Sequence, residues 1–181
     1  ESIEPTRQVL RNFTIGDPQR PDLVIERVEL VPVVGFTSIG IGSVTLVRPH
    51  LRATLKDGKL SLGALDPLLR METEEPASLP DWRLNLIDGR ARVFTDNGVI
   101  GAKVEGAGRL SDGFEGVLAA AAPMLAMDGC SIASTLLVGR ISVTRRQPRF
   151  AGPMQINRAD CQDETAEIGE VKVAIDLKVD R

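Results

Sequence analysis

The chain has 181 residues, 22 Lys and Arg against 25 Asp and Glu, and a formal net charge of -3. Aromatic residues make up 3 %, with no Tyr and one His, so a nucleic-acid binder is excluded for want of basic excess and stacking rings, and a lone imidazole leaves no catalytic triad or metal site to build. Hydrophobic residues at 43 % and charged ones at 26 % are ordinary globular values, which excludes disorder.

Taken in chain order, the elements are nearly all strands. Val9 to Ile15 reads as one, closed by a Gly16-Asp17-Pro18 turn and Pro21. Leu23 to Val34 reads as a long one, in which Pro32 marks an edge or a break. Ile39 to Val47 follows, weakened by Gly40 and Gly42, and leads through Arg48, Pro49 and His50 into an alternating run. There Leu51, Ala53 and Leu55 alternate with Arg52, Thr54 and Lys56. Ala64 to Leu69 fits one helical turn. Arg70 to Pro80 carries Glu72, Glu74, Glu75, Pro76 and Pro80 and is the best linker, so a sub-boundary is expected at 70–80. Trp82, Leu84 and Leu86 then alternate with Arg83 and Asn85.

Gly98 to Gly108 is a strand rich in Gly, suited to a sharp bend or the close approach of a ligand. Val117 to Met127 is apolar and interrupted by Pro123; Ala119 to Ala122 favour helix by propensity, while the preceding turn favours strand, at least for the first half. Val171, Val173, Ile175, Leu177 and Val179 alternate with Lys172, Ala174, Asp176 and Lys178 in the cleanest strand of the chain. Asp57-Gly58, Asp88-Gly89, Asn97-Gly98, Asp112-Gly113 and Asp128-Gly129 lie beside these runs. Such dipeptides suit type I′ turns, whose two central residues need positive φ. The expected fold is therefore mainly β: an antiparallel meander of hairpins, with at most one or two short helices, whose sheet either closes over a core or curves into a groove. Residues 1–181 read as a single β-rich segment of a longer protein, because the chain opens on Glu1 and stops at Arg181 straight after an alternating run. No apolar run reaches the roughly 18 residues that span a bilayer.

Cys130 and Cys161 are the only cysteines. An even pair fits one disulfide and an oxidising compartment, and two unrelated buried thiols are the alternative. A bond closing that loop would contribute roughly 3–4 kcal/mol. Chemistry is otherwise thinly signposted. His50 has no local nucleophile or orienting acid, so it reads as a turn or surface histidine. The Gly98–Gly108 stretch lacks the Gly-Lys-Ser/Thr ending of a phosphate loop. Glu72, Glu74 and Glu75 read as a solvated linker rather than a cation site, and Arg145, Arg146 and Arg149 as a strand end rather than a headgroup site. No catalytic residue, metal ligand or cofactor site is assigned. The apolar stripes remain: they face either a packed core or a groove for acyl chains, and periodicity cannot separate the two.

Two segments carry a family likeness. One is Asn12-Phe13-Thr14-Ile15-Gly16-Asp17-Pro18-Gln19-Arg20-Pro21-Asp22-Leu23, continuing into Ile25 to Leu30. The other runs from Val44 through Arg48-Pro49, Asp57-Gly58 and Leu60-Ser61-Leu62-Gly63. Together they resemble the N-terminal part of the AsmA-like superfamily. Gly129-Cys130, Gly152-Pro153 and Cys161 are most similar to its YdbH-type branch of intermembrane phospholipid transport proteins, over most of residues 8–165. The resemblance implies a bridge-like protein of the Gram-negative envelope, periplasmic and tied to the inner membrane by an anchor outside this chain. Phospholipids would move along an apolar β-groove between the inner and outer membranes. It implies no catalytic residues, no nucleic acid, and a partner in the outer membrane or envelope. Acyl chains would lie against Leu51, Leu55, Leu60, Leu62, Trp82, Leu84, Leu86, Ile100, Val104, Leu136, Val173, Ile175 and Leu177. The rival expectation is a structural or assembly-factor β module of the envelope with no conduit; an enzyme comes third, for want of a polar cluster.

Overall fold

In a computed structural model, which describes residues 7–34, 39–69, 81–127, 129–161, 165–166 and 170–175, the chain forms one curved sheet. Its strands are β1 (Gln8–Asp17), β2 (Arg20–Val34), β3 (Ile39–Lys56), β4 (Lys59–Ser61), β5 (Arg83–Thr95), β6 (Gly98–Arg109), β7 (Phe114–Met127), β8 (Cys130–Thr144), β9 (Gln147–Cys161), β10 (Thr165–Ala166) and β11 (Glu170–Ile175). Spatial order follows chain order from β1 through β9, with β10 and β11 on β9 and the short β4 on the end of β3. A 3-10 turn at Gly63–Leu65 and a helical turn α1 (Asp66–Leu69) are the helical parts. The Asp22 carboxylate accepts the Ala64 N–H and so ties this turn to the start of β2.

The mainly antiparallel meander expected from the turn dipeptides is present, with instructive departures. β3 and β5 pair in parallel, from Ser43 opposite Arg83 to Leu55 opposite Thr95. A parallel neighbour cannot be reached by a hairpin; the chain must first return along the strand, and β4, antiparallel to the end of β3, begins that return. The linker expectation at 70–80 falls outside the described residues. Asp88-Gly89 is no turn but a bulge inside β5, where the register shifts between Leu86 and Gly89 and Asp88 takes φ 48°. Arg48 also takes a positive φ (50°) inside β3, with no register shift against β2 or β5, so the two runs read on either side of it are one strand. Pro32 marks a register shift with β3, just beyond Leu30, where the described pairing of β2 with β1 ends. Strand β7 extends to Met127, past the half-strand expected from its Ala run: every Ala there is paired to β8.

One hairpin had no turn signature. β8 and β9 meet at Arg145-Arg146, with φ of 52° and 64°. The neighbouring turn holds them there, because Asp112 accepts the Arg145 N–H and the Ser111 carbonyl accepts the Arg146 N–H. At the other end of the same two strands, Cys130 and Cys161 face each other and are joined by a disulfide.

Residues opposite one another in a ladder point to the same side of the sheet. All the buried hydrophobics lie on one side, among them Ile25, Val44, Phe114, Val143 and Phe150, and no polar residue is buried among the described ones. Like residues differ by side: Ala102 and Gly106 are half-buried, whereas Gly101 and Ala107 are exposed. With a single layer of strands, this difference reflects curvature toward the apolar face, which crowds its side chains together.

Candidate functional site: an apolar face and a cationic trough

The apolar face is built row by row. Leu10, Val28, Leu46, Leu86, Gly106, Gly116, Ile141 and Phe150 are successive partners from β1 to β9, and Phe150 pairs with Ile175 of β11. A second row passes through Leu23, Leu51, Ala91, Ala102, Ala120, Leu137 and Met154. Neither row contains a charge. At one end Ile25, Val28 and Val44 form a small cluster against which Leu84 and Trp82 pack.

Two glycine pairs shape this face. Gly106 lies opposite Gly116, and a Cβ on Gly106 would fall 2.7 Å from the ring tip of Phe114. On the next hairpin a Cβ on Gly139 would fall 2.5 Å from the ring tip of Phe150. In each case a Phe two residues before the second glycine lies over the first, so the ring fills the surface that the glycines leave open. The Gly98–Gly108 stretch thus receives a neighbouring aromatic side chain.

The expected groove residues divide as follows. Leu51 and Leu86 belong to the two rows, and Leu84, Val104 and Ile100 share their side, opposite Val44, Leu118 and Val93. Leu55 and Leu60 are paired and exposed at the end of the sheet, with Leu62 half-buried beyond them. Leu136 lies on the opposite side: it pairs with Ala121, which follows Gly101 and Arg92 in its row. Three apolar residues run together at Leu136, Leu137 and Val138, so alternation alone could not choose among them, and Leu137 holds the apolar position. Val173 is opposite Gly152 and Ile175 opposite Phe150, while Leu177 is outside the described residues.

The other face is charged. Arg48 donates two hydrogen bonds to Glu26, and this donation holds the Glu26 carboxyl below its usual range. Asp88 lies 3.3 Å from Arg90 and 3.4 Å from Lys103, and their hydrogen bonds, Arg90's first, lower its pKa. Glu105, then Asp88, raises that of Lys103. Beside this neutralised band lies an open depression of about 760 Å³ that crosses six strands, from Val24 on β2 to Leu136 on β8. Its floor is small side chains, Gly101, Ala119 and Ala121, and its rim carries Arg52, Arg90, Arg92, Lys103 and His50. Arg52 stacks 4.2 Å over Phe94. No acidic residue lines it.

A family model described as YdbH-like, intermembrane phospholipid transport protein YdbH, matches residues 1–180. The chain belongs to the YdbH-like family. No curated protein and no solved structure matches it. The YdbH-like family is one of intermembrane phospholipid transport. Among the described residues, no helix is long and apolar enough to cross a membrane. Sequence reading missed the trough, because its cations come from three strands and its floor from residues without side-chain chemistry. The signal available was the density of Arg and Lys at the polar positions of the runs 48–56, 83–92 and 103–109.

Proposed function

We propose that the apolar face carries the acyl chains of phospholipids passing between two membranes, as one stretch of a longer conduit. What supports this reading is the uninterrupted apolar row from Leu10 to Phe150, which crosses every long strand. A globular core of the same composition would need a second layer to cover that row. Here the described residues form one layer, and the family's function requires an apolar surface that lipid can reach. The mechanism is passive: apolar burial contributes about 25 cal/mol per Å² without directional contacts, so a chain can slide along the face. The reading places the protein in the periplasm, held at the inner membrane by a segment outside this chain, with no covalent chemistry.

The test is capture of a fluorescent phospholipid by the purified chain, followed on gel filtration. Ala102→Glu and Leu118→Glu put a carboxylate on the apolar face and should abolish co-elution. Ala107→Glu puts the same charge on the opposite face and should leave it intact. Co-elution lost equally in all three, or absent from the parent chain, defeats the proposal and leaves the structural β module standing.

A further inference from the structure

We propose that the cationic trough on the charged face is a second docking surface, and that it takes an extended acidic segment of a partner polypeptide. The inference is independent of lipid carriage, because the rim cations alternate along their strands with Leu51, Ala91 and Ala102 of the second apolar row, which line the depression between them, and so project to the opposite side of the sheet. Three observations carry it.

The first is charge. Arg52, Arg92, Arg90 and Lys103 line one depression with no acid among its lining residues, in a chain whose net charge is -3. Arg92 has no acidic partner among the described residues, and Arg52 is held by a ring rather than by a carboxylate. Arg90 pairs with Asp88, and Lys103 with both Asp88 and Glu105, so the two cations left without a carboxylate among the described residues are Arg52 and Arg92.

The second is shape. Arg52 and Arg92 are direct partners, as are Arg90 and Lys103. Farther along the same two rows the residues shrink to Gly101, Ala119 and Ala121. Tall cations therefore stand beside a low, apolar floor. Strands lie about 4.8 Å apart, so crossing six of them makes a trough of roughly 24 Å, the span of about seven extended residues. An extended strand with carboxylates on one edge and small side chains on the other fits such a trough.

The third excludes a flat anionic partner. Glu26 and Glu105, with side chains 50 % and 54 % exposed, stand with Asp88 in the adjoining band on the same face. A bilayer surface would meet this acidic band together with the cations, and the rim would hold it off the floor. A narrow ligand lying in the trough meets the cations alone.

Fluorescence anisotropy tests the proposal on the whole chain, with a fluorescein-labelled peptide of about ten alternating Glu and Ala residues as probe. Saturable binding should weaken at least tenfold in the double variant Arg52→Glu, Arg92→Glu, and measurably in Arg92→Gln. Lys59→Glu, the same charge reversal on β4, should leave it unchanged. Gly101→Leu adds no charge and meets only the Ala121 carbonyl, 3.9 Å from its Cβ. It should also weaken binding, by filling the floor. No saturable binding, an equal loss in Lys59→Glu, or indifference to Gly101→Leu would overturn the proposal. So would flotation of the chain with phosphatidylglycerol vesicles, in a manner dependent on Arg52 and Arg92, when the peptide does not bind.

Discussion

At the scale of single residues, the single-layer sheet asks unusual things of small and large side chains. Phe114 and Phe150 are 5 % and 7 % exposed although no second layer covers them. Each achieves this by lying flat over a glycine on the neighbouring strand. Gly139 is therefore a packing residue, and its lack of a Cβ is used by the ring rather than by the backbone. Gly139→Val should cost roughly 2 kcal/mol through overpacking, and Phe150→Ala about 3 kcal/mol through lost burial and the space left behind. Urea unfolding measures both. Because the two changes act on one contact, the double variant should be more stable than the sum of the singles predicts. Independent, additive losses would show that the ring and the glycine do not support one another. None of this was legible in the sequence, where Gly98 to Gly108 read only as a weak or bent strand; recognising the motif requires knowing that Phe114 and Gly106 sit diagonally across a hairpin.

At the scale of elements, turn chemistry was the most legible feature and also the most easily misread. Asp57 and Gly58 take φ of 50° and 71°, as a two-residue hairpin needs, and β3 closes onto β4 there. Asp88-Gly89 carries the same letters, yet β5 runs through it, because both its neighbours in the sheet continue past and only a bulge is required. Arg145-Arg146 shows the converse: neither residue favours positive φ, yet both adopt it under hydrogen bonds from the turn beside them. The left-handed region costs a residue with a Cβ about 1 kcal/mol. Replacing Arg145-Arg146 by Asn-Gly should therefore raise stability by about 1 kcal/mol, read as a higher urea midpoint with unchanged slope. Asp112→Ala should lower it, and less so in the Asn-Gly background, where the turn no longer depends on that carboxylate. An Asn-Gly variant no more stable than the parent would mean that the adjoining turn imposes no strain. The β3–β5 parallel pairing was not legible: the connection opens on the Asp57-Gly58 hairpin signal, which closes β3 onto the short β4 and gives no sign that β5 then pairs with β3 in parallel.

At the scale of the whole molecule, the two faces divide the labour of holding the sheet together. The apolar face contributes burial without a closed core, so charge contacts on the other face matter more to which strands stay side by side. Glu26 and Arg48 join β2 to β3, and Asp88 reaches Lys103 across β5 and β6. Asp81, just before β5, accepts from Ser111 and from Arg109 at the end of β6. All three carboxyls are held below their usual range: Asp81 by the Ser111 hydroxyl first and then Arg109, Glu26 by Arg48, Asp88 by Arg90. A carboxyl with a lowered folded-state pKa favours the fold while the unfolded chain would still take up a proton. Its contribution is fully present above the unfolded value, near pH 4, and fades as pH falls through the lowered one. The melting midpoint should accordingly stay nearly level from about pH 7 to about pH 5 and drop below about pH 4. The groups are surface groups, so added salt should shrink the acid-sensitive part. Arg48→Gln removes the donor that lowers Glu26 and should make the acid limb shallower while leaving the disulfide and the turns untouched. Melting followed by circular dichroism across this pH range decides the matter: a limb as steep in Arg48→Gln as in the parent would mean that the cross-strand charges only decorate a sheet held together by its apolar rows.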